Sequence, residues 1–203
     1  MNAQRGVMRK TVCALVVFLF IGMAGVACAA EPTQVIRSAV DEILVILRDP
    51  KFKTPDRADE QRQRIAAVAE KFIDKKRFAQ ITLGRDWRKL DPKQQEEFTE
   101  LYADLVEKTY IDRIREYTDE KVLITGETKT GDNKVEVNTV VVSKGKEIPV
   151  VYRMYNDGGM WRTYDVLVEG VSFVMNYRSQ FNDILAKGSP ESLLRQLRQK
   201  VSS

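Results

Sequence analysis

Apolar residues recur at helical spacing through the first half of this chain and at strand spacing through most of the second. From Pro32 to Asp49, the residues Val35, Ile36, Ala39, Val40, Ile43, Leu44 and Leu47 make a wide apolar face on one helix. "DPKFKTPD" breaks that helix with two prolines. Asp56 to Ile73 reads as a charged helix with a narrower stripe at Ile65, Val68, Ala69 and Phe72. Asp74 is placed to cap a short helix through "KKRFAQITLG", which Gly84 ends, and "RDWRKL" adds a short helical turn. "DPKQQEEF" starts a long helix: Asp91 caps it, Pro92 takes the first position, and acids fill the first turn. That helix should run to about Tyr117. Along it, Phe98, Leu101, Tyr102, Leu105, Val106, Tyr110, Ile111, Ile114 and Tyr117 cover more than one stripe, so it touches two things at once.

The period then changes. "KVLITGETKT", "KVEVNTVVVS", "EIPVVYRMYN" and "MWRTYDVLVEG" read as strands, separated by "GDN", "KGK" and "NDGG". Turns this short imply an antiparallel meander of four strands. A helix from about Val171 to Lys187, a "GSP" break and a last helix from Pro190 to about Lys200 follow. The fold class is α+β: N-terminal helices, a four-stranded antiparallel curved sheet, and C-terminal helices packed on it. Alternation in the strands is loose. Val150, Tyr152 and Met154 share one face of the third; Tyr164, Val166 and Val168 share a face of the fourth, opposite Trp161, Thr163, Asp165 and Leu167. A sheet with one wet face alternates more cleanly. The surplus of large apolar residues fits either a solid core covering both faces or the lining of an apolar hollow, which is how small-molecule pockets are built. Periodicity does not separate the two.

Composition narrows the chemistry. Met1 to Lys10 is basic, Thr11 to Ala30 carries no charge, and Ala27-Cys28-Ala29 fits a small-x-small cleavage site. Residues 1–30 therefore read as a secretory signal peptide and 31–203 as a single domain. An uncleaved anchor is the alternative, since the apolar run approaches spanning length. Acylation at Cys28 is a third, although Gly25 stands where a larger aliphatic is usual. The leader holds three of the 33 basic residues and none of the 29 acidic ones. Its removal leaves 30 against 29, so the net charge falls from +4 to +1 and nucleic acid is not an implied partner. Both cysteines, Cys13 and Cys28, lie in the leader, and the chain has no histidine. The domain thus lacks a thiol nucleophile, a Ser-His-Asp triad and imidazole or thiolate metal ligands. What remains for catalysis is a pair of carboxylates, Asp165 and Glu169, which share a face if their strand stays regular. Glu169, beside Gly170 at a helix start, is equally explained by the helix dipole.

Two long segments resemble the MlaC family, also called the toluene-tolerance family. "YDVLVEGVSFVMNYRSQF", from Tyr164 to Phe181, is similar to its end-of-sheet and following-helix motif. "RFAQITLGRDWRKLDPKQQEEFTELYADLVEKTY", from Arg77 to Tyr110, is similar to its other signature, and the likeness runs over about residues 31 to 200. The resemblance implies a cone-shaped fold, like that of nuclear transport factors, with a pocket for lipid acyl chains. It implies a periplasmic carrier of phospholipid, without enzymatic activity or a cofactor other than its cargo. Its partners would be an outer-membrane lipoprotein complex and an inner-membrane ABC transporter complex with an MCE-type lipid-binding subunit. Some relatives are linked to hopanoids, which leaves another lipid as the alternative cargo.

Apolar face and motif position together nominate the pocket. Leu101, Tyr102, Leu105, Val106 and Tyr110 come from the long helix, and Val150, Tyr152, Met154, Tyr164 and Val166 from the sheet. Phe173, Val174, Tyr177 and Phe181 come from the helix after it. Trp87 is expected to pack under a helix corner with Arg88 in solvent, and Arg178 to pair with Asp165 or Glu169.

Overall fold

Asp74, Asp91 and Ser172 start three helices by the same chemistry. Each side chain accepts a backbone N–H from three residues on: Arg77 at 2.8 Å, Gln94 at 3.0 Å and Met175 at 3.0 Å. A cap of this kind stabilises a helix by about 1 kcal/mol. At Asp91 the exchange is reciprocal, because Gln94 Oε1 accepts the Asp91 N–H at 3.1 Å. No acid stands in the first turn of that helix. Glu96 and Glu97 fall one turn later than expected, and the Asp91–Gln94 box meets the free N–H groups instead.

The computed structural model describes residues 31–115 and 121–202. The leader with its two cysteines, Tyr117, and the side chains of Ile111 and Ile114 lie outside the described residues. The helices are α1 (Pro32–Arg48), α2 (Ala58–Phe72), α3 (Lys75–Leu83), α4 (Pro92–Arg115), α5 (Phe173–Lys187) and α6 (Pro190–Ser202). Short 3-10 turns at Pro50–Lys53, Pro55–Arg57 and Gly84–Lys89 join the first four. The strands are β1 (Lys121–Gly131), β2 (Lys134–Ser143), β3 (Lys146–Asp157), β4 (Met160–Val168) and β5 (Val171–Ser172). They form one antiparallel sheet in chain order. The fifth strand is the difference from the four expected. Glu169 and Gly170 both take positive φ, 51° and 80°, and turn the chain back so that Val171 pairs with Val168 before α5 begins.

A bulge in β4 decides which side chains share a face. Arg153 pairs with Asp165, but Met154 pairs with Thr163, leaving Tyr164 as the extra residue. Thr163 therefore shares a face with Val166, while Tyr164 turns to the other side, against the Tyr155 ring and under the Lys134 ammonium. Strict alternation had placed Tyr164 with Val166 and Thr163 opposite it; the inserted residue reverses both.

Two main cores form on this frame, with a small third cluster at Leu47 and Ile65 between α1 and α2. One is helical and aromatic, joining Phe78, Leu83, Trp87, Phe98, Tyr102, Tyr177 and Phe181 to the α6 leucines Leu193, Leu194 and Leu197. The other lies between the sheet and α1 and α2, where Ile36, Ala39, Val68 and Phe72 meet Val135, Val137 and Met154.

Candidate functional site

A cavity of about 460 Å³ lies between the two main cores, which meet at Ile73. Val141, Ile148, Val150, Tyr152, Val166 and Val168 form its floor. Ile43 from α1 and Ile65, Ala66, Ala69 and Phe72 from α2 form one wall. Phe78 from α3 and Thr99, Tyr102, Ala103, Val106 and Tyr110 from α4 form the other. Phe173 closes the end, stacked on Tyr110 with ring centroids 4.2 Å apart. Charge enters only at Glu70, Lys75, Glu107 and Glu169. The volume is that of a small-molecule pocket, and a hollow with such walls favours apolar contents over water.

Partial exposure of apolar side chains marks the hollow. Val106, Tyr110, Tyr152, Val166, Val168 and Phe173 are only half-buried, although strands or helices flank each of them. Phe98, Phe181, Leu193 and Leu194, in the helical core, are 0–2 % exposed. Small side chains at Ala66, Ala69 and Ala103 widen the space. A separate notch of about 330 Å³ between α5 and α6 is bordered by Asp183, Ile184, Lys187, Gly188, Ser192 and Gln196.

Of the fourteen residues nominated from the sequence, Tyr102, Val106, Tyr110, Val150, Tyr152, Val166 and Phe173 line this cavity. Leu101, Leu105, Val174, Tyr177 and Phe181 belong instead to the helical core. Met154 is sealed in the sheet core, and Tyr164 is turned away by the bulge. The aromatic face of α5 looks toward α3, α4 and α6. There Phe181 meets Tyr102 edge-on at 5.3 Å and Phe98 at 5.5 Å. Tyr102 belongs to both, with its ring in that stack and at the cavity wall. The α1 and α2 wall was not nominated. Its signal is the pair Ala66 and Ala69 on the buried side of an otherwise charged helix.

Asp165 and Glu169 do not act as a pair. Asp165 is buried and receives three donors: Ser172 Oγ at 2.7 Å, Val174 N at 3.2 Å and Arg153 Nη1 at 3.2 Å. Its negative charge sits at the positive end of α5, so it fixes that helix, and with it Phe173, against β4. Glu169 is exposed on the β4–β5 turn at the cavity rim. Arg178 pairs with neither. Its guanidinium donates to the Thr82 carbonyl at 3.3 Å and to the Ile81 carbonyl, at the C-terminal end of α3. Gly84, at φ +57° and ψ −121°, turns the chain there beside that guanidinium. Arg178→Ala should lower stability by about 1–2 kcal/mol, measured by urea unfolding, because it leaves helix-terminal carbonyls without a charged donor. Trp87 packs edge-on to Phe98 at 6.3 Å, and Arg88 is exposed.

Burial shifts several ionisable groups at and near the cavity. Burial pushes the Tyr152 phenol up to about 12. Burial, and then the hydrogen bond to Asp74, does the same for Tyr155. Both phenols stay protonated longer in the folded than in the unfolded chain, whose tyrosines titrate near 10. Between pH 10 and 12 the native state binds more protons, so stability must fall with rising pH there. The expected result is a urea midpoint that declines as the pH rises through this window. Burial, then the neighbouring Asp104, holds Glu107 above the usual carboxylate range. At Lys75 burial opposes the charge, but Glu70, Glu100 and Asp104 outweigh it and raise the ammonium's pKa.

The chain is similar to known proteins. The chain is 20% identical over 197 residues to the intermembrane phospholipid transport system binding protein MlaC of Haemophilus influenzae, covering 95% of this chain and 92% of that one. It is 26% identical over 101 residues to the toluene tolerance protein ttg2D of Pseudomonas putida, about half of each chain at 49% and 47%. A phospholipid-binding protein from Ralstonia solanacearum, solved in complex with a phospholipid, superposes with a TM-score of 0.76 at 23% identity, covering 85% of this chain and 98% of that one. The α+β architecture is therefore shared with a solved structure. The sequence profile of the MlaC protein family matches residues 37–199. The chain belongs to the MlaC protein family.

Proposed function

We propose that this chain is a carrier that holds phospholipid acyl chains in the cavity between its sheet and helices. The observation that supports this most is the apolar hollow itself, built from eight elements and left unfilled by the chain's own side chains. A phospholipid with roughly thirty chain methylenes loses on the order of 25 kcal/mol when those chains face water, at about 0.8 kcal/mol per CH₂. A carrier keeps them dry in transit. It also releases them, because a cavity wall of Val, Ile, Ala and Phe approximates the bilayer interior and leaves only a small free-energy difference at handover. Nothing in this task needs a nucleophile or a proton relay.

The carrier works in the periplasm, after export on the leader peptide. It passes lipid between an outer-membrane lipoprotein complex and an inner-membrane ABC transporter complex with an MCE-type subunit. The likeness to a phospholipid transport system binding protein supports this placement. The test is organic extraction and mass spectrometry of purified protein, together with uptake of labelled phospholipid from vesicles. Stoichiometric phospholipid is expected. Protein that is repeatedly lipid-free and takes none from vesicles overturns the proposal.

A further inference from the structure

The sheet face opposite the cavity carries its charges in cross-strand rows. In one row Glu136, Arg153 and Asp165 are neighbours on β2, β3 and β4. Arg153 donates to Glu136 at 2.8 Å and to Asp165 at 3.2 Å, so the cation of that row is fully engaged. The next row is Lys134, Tyr155 and Arg162. The bulge adds Tyr164 beside Tyr155, with ring centroids 6.1 Å apart. Arg77, in the first turn of α3, lies over the Tyr155 ring at 5.6 Å, and the Lys134 ammonium lies over the Tyr164 ring at 5.8 Å.

This second row has cations and no anion to meet them. None of Arg77, Lys134 and Arg162 forms an ion pair among the described residues. Arg162 donates to the Lys71 carbonyl at 3.1 Å. Asp74, the acid beside Tyr155, accepts the Arg77 backbone N–H at 2.8 Å and the Tyr155 hydroxyl, so both of its oxygens are taken. Met160, paired with Asp157 across the β3–β4 turn and two residues before Arg162, is 63% exposed.

We propose that Arg77, Lys134 and Arg162, with Tyr155, Tyr164 and Met160, form a docking surface for an acidic segment of a partner protein. None of the six lines the cavity, so this surface stands apart from the carrier reading. Arginine, tyrosine and methionine are the residue types enriched at protein interfaces, and tyrosine and arginine dominate their binding energy. Arg77 and Lys134 are already held over aromatic rings, so a carboxylate meets them with little further ordering. A bilayer fits less well, because peripheral binding grows with buried apolar area and Met160 is a single side chain.

The experiment titrates the purified, isotope-labelled protein with a glutamate-rich synthetic peptide and follows it by NMR, with a lysine-rich peptide of equal length as control. Shifts should concentrate at Arg77, Lys134, Tyr155, Met160 and Tyr164 with the acidic peptide alone, and should fade as salt rises. Arg77→Glu/Lys134→Glu changes two exposed side chains and should weaken binding by at least about tenfold. Arg77→Gln/Lys134→Gln, which removes the charges without reversing them, should weaken it by less and keeps the test readable if the reversal unfolds the domain. Shifts spread over lysines elsewhere, such as Lys144 and Lys146, or undiminished binding by the charge-removed variant, overturn the proposal. So does cosedimentation with phosphatidylglycerol vesicles that depends on Arg77 and Lys134 while the peptide leaves the patch unshifted, since the occupant is then a lipid surface. Lipid uptake into the cavity is measured separately, and none of these outcomes alters it.

Discussion

Val166→Trp should leave the domain folded and cut phospholipid uptake from vesicles by at least about tenfold, the equivalent of roughly 1.4 kcal/mol of binding. Val166 stands on the cavity floor opposite Tyr152 and is only half-buried. An indole placed there enters empty space. It gains apolar burial and avoids the 1–3 kcal/mol that overpacking costs a filled core, in round terms about the stability of one good core contact. Thermal unfolding should therefore stay level or rise while binding is lost. Tyr102 is a poorer place for the same probe. It sits against Phe78, Phe98, Tyr177 and Phe181, with its hydroxyl 3.3 Å from Thr82 Oγ1, so a larger ring would strain the core as well as fill the cavity. Uptake by Val166→Trp equal to wild type would mean that the chains lie elsewhere.

Asp165→Ala should destabilise the fold by about 3 kcal/mol, the scale of removing one partner from a buried charged network. It strands the Ser172 hydroxyl and the Val174 N–H and leaves Arg153 to Glu136, 2.8 Å away. Asp165→Asn, which keeps an acceptor for Val174, should cost less. Urea unfolding measures both. A loss under about 1 kcal/mol for the alanine variant would show that the network does not hold α5. Vesicle-uptake assays on the protein that remains folded should find its cavity still competent, because Asp165 orients the helix carrying Phe173 and does not line the hollow.

The helices and strands were legible because local chemistry set them. Asp74, Asp91 and Gly84 terminate elements where their side chains and backbone freedom require it. The cavity was legible in part. Tyr102, Val106, Tyr110, Val150, Tyr152, Val166 and Phe173 combine an apolar face with a position near the sheet, and they meet. Tyr177 and Phe181 have the same character, but a third helix layer, α6, supplies a competing partner for their face. Tyr164 was misplaced because one inserted residue reverses every face before it, and no residue type announces that insertion. The α1 and α2 wall was hidden for a different reason. Its contribution depends on how far two packed layers stand apart, which a periodicity within one helix does not encode.

The most direct measurement is a crystal structure of the protein loaded with phospholipid whose acyl chains carry bromine, with the bromine located by its anomalous signal. The account predicts bromine between Phe72 and Ala69 on one side and Val150 and Val166 on the other, inside the hollow. Bromine on the outer surface beside Val171 and Met175, or in the notch between α5 and α6, would contradict it.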